Sequence, residues 1–209
     1  GYFMNSIIFA LSTCIILIFV SSMASYVLVK FGFSWRSKLL LYFLIGMMIP
    51  SQSVIVPLAY DIGKIGIKDS MTMVILMMVA FGIPQNILIY TGFMQSVPDE
   101  LEEAAIIDGG GVFDVFTKII LPLSIPATIT VTIINFLGVW INFLLPLVFI
   151  NKNDLQPIAT GLLSFFGERR SDYSGVMAAI VISCSLPFLV YVFASDKIEK
   201  GLLEGSIKG

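Results

Sequence analysis

Five stretches of this chain, residues 1–29, 39–60, 70–98, 119–151 and 173–195, contain no charged side chain. Each exceeds the roughly 20 residues that a helix needs to cross a hydrocarbon core. Lipid offers the backbone no hydrogen-bond partners, so only helices or closed barrels span it. None of these runs alternates apolar and polar residues as a barrel strand must. The expected fold is all-α, a polytopic membrane helical bundle with five spans near 6–29, 39–60, 71–94, 123–150 and 175–194. No internal repeat, low-complexity tract or soluble domain interrupts it, so residues 1–209 read as one membrane domain.

Only 12% of the residues are charged, where a soluble domain would carry about one-quarter. The formal net charge is −2 with no basic patch, which excludes nucleic acid as a partner. Histidine is absent, and with it the commonest general base and metal ligand. Cys14 and Cys184 both fall in predicted spans and read as small buried thiols, not as a disulfide or a metal pair. No Gly-rich phosphate loop ending in Lys-Ser/Thr occurs, so ATP should be bound elsewhere. These residues point to no catalytic group, metal or cofactor. The first run lacks a basic leader and suits a full span better than a secretory signal.

Five spans place the two ends on opposite sides. One side collects Lys30, Arg36, Lys38, Lys118, Lys197, Lys200 and Lys208; the other collects Lys64, Lys68, Lys152, Arg169 and Arg170. Seven against five favours an external N-terminus and a cytoplasmic C-terminus. Residues 97–122 then form a cytoplasmic loop, 151–172 an external loop and 195–209 a cytoplasmic tail.

The cytoplasmic loop is the acidic part. Pro98 is placed to open a helix, with Asp99, Glu100, Glu102 and Glu103 at its positive end, each favourable by roughly 0.3–1 kcal/mol. Leu101, Ala104, Ala105 and Asp108 share a face, where small alanines permit close approach to another surface. Gly109-Gly110-Gly111 should stop the helix, because glycine accepts a left-handed backbone at no side-chain cost. A second short helix is expected over 112–120, with Leu121-Pro122 turning the chain back into the membrane. Within the spans, prolines mark kinks at Pro50 and Pro57, near Gly82-Ile83-Pro84, and at Pro126 and Pro146.

The order Glu103-Ala104-Ala105, three residues, Gly109, nine residues, then Ile119-Ile120-Leu121-Pro122 resembles the signature loop of an ABC importer permease. In that family the loop docks on the ATPase. Further elements are similar to the carbohydrate-uptake branch, of maltose and glycerol-phosphate type. They are Met48-Ile49-Pro50-Ser51-Gln52 with Pro57-Leu58, Ser96-Val97-Pro98-Asp99-Glu100-Leu101, Phe116, and the C-terminal residues 201–209. The resemblance covers essentially the whole chain. Two departures stand out. Family members usually have six spans, so the first family helix is expected to be missing here. The family's Trp-Asn-acidic-Phe pattern reads Trp140-Ile141-Asn142-Phe143.

The resemblance implies a type I ABC importer transmembrane domain in a bacterial or archaeal cytoplasmic membrane. Its partners would be an ABC ATPase dimer, which binds the ATP, a second permease subunit and an extracytoplasmic solute-binding protein. Glu103, Ala104, Ala105, Asp108, Gly109, Ile119, Leu121 and Pro122 would couple the chain to the ATPase. Asn135, Trp140 and Asn142 are candidates for a substrate path, since intramembrane amides face protein or water and aromatics suit sugar faces. The two asparagines lie seven residues apart on one helix face, and interhelical hydrogen bonding is an equal reading. The external loop, with Phe165, Phe166, Arg169, Arg170 and Asp172, would reach toward the binding protein. Residues 201–209 would contact the ATPase dimer.

Other classes fit less well. An ion-coupled secondary transporter calls for intramembrane ionisable groups, and a membrane enzyme for a nucleophile or metal constellation; the spans contain neither. A permease for amino acids, polyamines or phosphate would share the loop but not the further resemblances. A non-transporting membrane scaffold is the remaining alternative.

Overall fold

The computed structural model describes residues 1–67, 69–165 and 173–206, with side chains through 163 and from 173 to 192. Among the described residues every regular element is helical. Three helices are long and apolar enough to cross a bilayer unbroken: α1 (Tyr2–Lys30), α4 (Met71–Met94) and the Tyr173–Val192 part of the last helix. Two bent pairs add up to two further spans. They are α2 (Arg36–Met47) with α3 (Ser51–Ile65), and α6 (Val112–Leu123) with α7 (Ile125–Ile141). The short helices α5 (Glu100–Ile107), α8 (Leu144–Phe149) and α9 (Ile158–Gly161) and the long α10 (Tyr173–Ser206) complete the order.

The expected second and fourth spans are therefore not single rods, and their breaks follow from proline. The α2–α3 pair bends by 90°. Pro50 stands at the break with an extended backbone, because it has no N–H to continue the helix and disfavours a helical predecessor. Pro57 and Pro84, by contrast, sit inside unbroken helices. The α6–α7 pair bends by 72° at Ser124. Leu121-Pro122 does not make the turn, since α6 runs on through Leu123. Pro126 has no N–H to offer the Pro122 carbonyl, so the axis breaks between the two prolines. Upstream, residues Phe116–Ile120 form a π turn in which the Leu121 N–H reaches the Phe116 carbonyl, five residues back.

Pro126 itself lies in the first turn of α7, just past the break, as expected for a proline that interrupts the fourth span. The next break falls at Asn142-Phe143, four residues before Pro146, whose ring excludes the Asn142 carbonyl from the helical ladder. The Asn142 side chain fills the gap by accepting the Leu145 N–H at 3.2 Å. Asn142 thus lies one residue past the end of α7, whereas the seven-residue spacing had placed it on one continuous helix with Asn135. The last helix continues to Ser206, through most of the segment expected as a cytoplasmic tail.

The chain divides into two compact units. One comprises Gly1–Cys14, Pro50–Ala80 and Ile133–Ala194. Its core gathers Ala10, Cys14, Phe136, Trp140 and Ile158. Asn5 donates to the carbonyls of Asp154 (2.7 Å) and Gln156 (2.9 Å), and Ser6 accepts the Ile158 N–H at 2.8 Å, so α1 holds the 151–161 loop by its backbone. Asp69 accepts the N–H groups of Asn151 and, at 3.2 Å, Lys152. These bonds hold the Asp69 carboxyl below the usual carboxylate range. The anchor is therefore complete at any pH above the ordinary aspartate pKa and weakens only as pH falls through the lowered value.

The other unit comprises Ile15–Ile49, Phe81–Thr132 and Ser195–Gly209. Tyr26, Tyr90, Met94, Val115, Phe116, Ile120 and Val131 form its core. In lipid, helices associate through close packing and polar contacts instead of hydrophobic exclusion. The fully buried Ser21, Ser22 and Ser25 of α1 fit that rule; Ser25 donates to the Ile87 carbonyl at 3.2 Å. Tyr90 donates to Thr128 at 2.9 Å, linking α4 to α7. Cys14 is buried as expected, but Cys184 is exposed, on a stretch of α10 whose neighbours Val181, Ile182 and Phe188 also face outward. A helix that spans a membrane can turn a thiol outward as well as inward, which is why span membership did not predict its burial.

Candidate functional site

The loop between α4 and α7 lies wholly in the second unit, and its shape follows from its acids and glycines. Helix α5 begins at Glu100, one residue after Asp99 and two after Pro98, with Glu100, Glu102 and Glu103 in its first turn. The Asp99 carbonyl accepts the N–H groups of Glu102 (3.0 Å) and Glu103 (3.1 Å).

At its other end α5 closes with a paired-bond cap. The Gly109 N–H reaches the Ile106 carbonyl at 3.0 Å and the Gly110 N–H reaches the Ala105 carbonyl at 2.9 Å. This is the Schellman arrangement, which requires a left-handed residue after the helix, and Gly109 supplies it with φ +90°. A Cβ on Gly110 would stand 2.8 Å from the Ala105 carbonyl oxygen, so that position too is closed to side chains. Asp114 accepts the Gly111 N–H at 3.3 Å and pairs with Lys118 at 2.6 Å. Both partners of that pair are well exposed, so it contributes at most about 1 kcal/mol.

The resemblance residues separate into two groups. Ala105, Ile119 and Leu121 pack against the core of the unit. Glu103, Ala104, Asp108, Gly109 and Pro122 are exposed. A hollow of about 330 Å³ lies between the two limbs, walled in part by Ala105, Asp108, Gly109, Asp114 and Lys118. Around it the apolar side chains of Ile106, Ile107, Val112 and Phe113 face outward, Ile107 being 84% exposed.

Glu102 was passed over in the motif, and it is the acid that turns inward. Its carboxylate meets the Lys30 ammonium at 2.8 Å and accepts the Tyr26 hydroxyl at 3.2 Å. Lys30 also pairs with Asp99 at 2.6 Å and donates to the Val97 carbonyl at 3.0 Å. Sequence placed Lys30 only as a charge at the end of a span. Nothing in its neighbours signals a partner 72 residues away.

The path candidates lie in the first unit. Asn135 is buried within α7. Trp140 is buried too, stacked on Phe136 at 5.6 Å and edge-on to Phe3 at 5.5 Å. Its indole N–H donates to the Ser183 carbonyl at 2.9 Å. That carbonyl is four residues before Pro187, which has no N–H to give it. Trp140 therefore supplies the bond that proline removed from α10, and it acts here as a contact between helices. Asn142 is half-buried at the α7–α8 break. Of the external-loop candidates, Phe166, Arg169, Arg170 and Asp172 and the Phe165 side chain lie outside the described residues, as does Lys68; so do residues 207–209 and the side chains of 201–206.

Comparison with known proteins agrees with this architecture. Residues 17–203 match the family model described as "Binding-protein-dependent transport system inner membrane component". The diacetylchitobiose uptake system permease protein NgcG of Streptomyces coelicolor is 32% identical over 209 residues, an alignment covering 99% of this chain and 69% of that one. The multiple sugar-binding transport system permease protein MsmG of Streptococcus mutans is 30% identical over 213 residues, covering 100% of this chain and 76% of that one. Among solved structures, a chain of a bacterial ABC transporter that imports the acidic polysaccharide alginate shares the fold. Its TM-score is 0.81 over 93% of this chain and 73% of that one, at 18% identity. By its sequence match over nearly its whole length and by its helical architecture, this chain belongs to the family of binding-protein-dependent transport system inner membrane components, the multi-pass membrane permeases of ABC importers.

Proposed function

We propose that this chain is the permease subunit of an ATP-driven sugar importer and that it couples to the ATPase through Glu103–Gly109. The observation that carries the coupling reading is the form of the loop. A short helix is locked by its glycine cap and set on a packed base, and it presents Glu103, Ala104 and an exposed apolar rim outward. A lever needs that combination: a rigid body, a firm root and a free surface for a partner. The sugar reading rests on the relatives named for diacetylchitobiose uptake and multiple sugar binding.

An ATPase dimer would seat the α5 tip in a cleft, and closure around ATP would move it. ATP itself is bound by that partner. A second permease subunit would complete the translocation path, and an extracytoplasmic binding protein would deliver the sugar. Asn142, at the α7–α8 break, and the buried Asn135 remain the polar groups proposed for the path. The Trp140 N–H is committed to Ser183, so Trp140 would offer the path its ring alone.

The direct test is gentle extraction from native membranes with mass-spectrometric identification of co-purifying chains. An ATPase and a second permease are the expected finding. If cross-linked membranes also yielded no ATPase, the proposal would fail. Glu103→Lys reverses the charge of an exposed residue whose side chain makes no hydrogen bond or ion pair among the described residues. It is expected to reduce uptake of labelled sugar roughly tenfold while the chain reaches the membrane at normal abundance, a coupling loss of about 1.4 kcal/mol. Normal uptake by this variant would argue against the docking role.

A further inference from the structure

We propose that Lys30, through Glu102, is a positioning residue that ties α1 to the coupling loop, so that loop movement is delivered to α1 as well as to the helices α5 and α6 join. This rests on the reading of the loop as the ATPase contact. The chain already connects the loop to α4 and α7; no covalent path of fewer than about sixty residues joins it to α1.

The contact is built as a clamp. The Lys30 side chain is only 7% exposed, and its ammonium has three protons. It donates to Asp99 (2.6 Å) and to the Val97 carbonyl (3.0 Å), and it stands 2.8 Å from a Glu102 carboxylate oxygen as an ion pair. Glu102, 13% exposed, engages Lys30 with one carboxylate oxygen and accepts Tyr26 with the other. Tyr26, one turn before Lys30 on α1, also packs its ring against Phe116 at 5.4 Å, on the second limb of the loop. Two residues on one face of α1 thus hold both limbs. Asp99 contributes less, because its side chain is 81% exposed and solvent screens the pair. A buried ion pair is a costly device for mere stability, since an apolar pair of the same size would serve as well. What it adds is a directional connection, short and fixed at both ends.

The test uses the complete importer reconstituted in liposomes, with uptake of labelled sugar and ATP hydrolysis measured together. Lys30→Met and Glu102→Gln are each expected to lower sugar imported per ATP by roughly fivefold or more. Co-purification of the ATPase should be unchanged and ATP hydrolysis should persist. Asp99→Asn should stay near the parent ratio. The exchange Lys30→Glu with Glu102→Lys should recover a ratio above that of either single variant. Wild-type ratios in both single variants would overturn the clamp, as would loss of ATPase binding together with loss of transport. A parent complex that neither binds an ATPase nor imports would instead refute the functional reading on which the clamp depends. If the single variants fold poorly, cysteine cross-linking between α1 and the loop in the parent decides the matter. Transport that continues with the two locked together supports the clamp, and transport that stops shows that they must separate.

Discussion

Gly110→Ala and Gly109→Val should abolish sugar uptake, whereas Gly111→Ala, one residue on, should not. The three glycines are consecutive in sequence but meet different constraints. A methyl on Gly110 would lie 2.8 Å from the Ala105 carbonyl oxygen, the same atom that receives the Gly110 N–H. The backbone must move to admit it, and the bond that closes α5 is lost. Gly109 has open space around it but holds φ +90°. A left-handed backbone costs an L-residue roughly 1–2 kcal/mol, with β-branched side chains the worst placed. Gly111 has an ordinary backbone, and its nearest neighbour would be the Asp114 carboxylate at 3.7 Å. Both damaging substitutions reorient a surface helix and leave the spans alone, so insertion and abundance should be normal. Membrane yield by immunoblot, paired with uptake, checks the expectation. Uptake by Gly110→Ala at the parent rate would show that the cap geometry does not matter for coupling.

Trp140→Ala should produce the largest loss of stability among single changes in the first unit. Removing a buried indole costs about 3–5 kcal/mol, and here it also dismantles the Phe136 stack and the Phe3 edge contact. Trp140→Phe isolates the hydrogen bond. It retains an aromatic ring but leaves the Ser183 carbonyl without a donor, at about 1–3 kcal/mol. Because that carbonyl lost its own helical donor to Pro187, Pro187→Ala should restore one from within α10. The two changes are therefore expected to be non-additive, with Trp140→Phe costing clearly less in the Pro187→Ala background. Thermal unfolding of the four detergent-solubilised proteins measures this. Equal penalties in both backgrounds would mean that the indole N–H does not replace the missing helical bond.

The clamp and the Trp140 bond share a lesson about polar groups near lipid. Neither residue is charged or polar for the sake of water. Lys30 and Glu102 hold each other and Tyr26, and Trp140 serves a carbonyl that proline left open. In both places a deficit made in one segment is met by a side chain from another. Such pairs are where substitution is most costly, because removing one member strands its partner away from solvent.

Much of the architecture could be read from the chain alone, because membrane insertion and local backbone chemistry depend on neighbours in sequence. The charge-free runs require helices whatever packs against them, since the bilayer leaves the backbone no other partner. The glycines after Asp108 announced a helix end, since a left-handed backbone is a property of single residues, and Gly109 adopts it. The prolines marked where breaks could occur. They did not say which would break the helix outright: Pro50 does, while Pro57 and Pro84 stay inside continuous helices, and the turn expected at Leu121-Pro122 falls at Ser124. That choice depends on what supports each helix from the side. The inward turn of Glu102 beside the outward Glu103 was likewise decided by tertiary structure. Adjacent residues on a helix point about 100° apart, so which acid is buried depends on where α1 lies against α5. Sequence distance carries no record of that contact; only the folded chain brings Lys30 to Glu102.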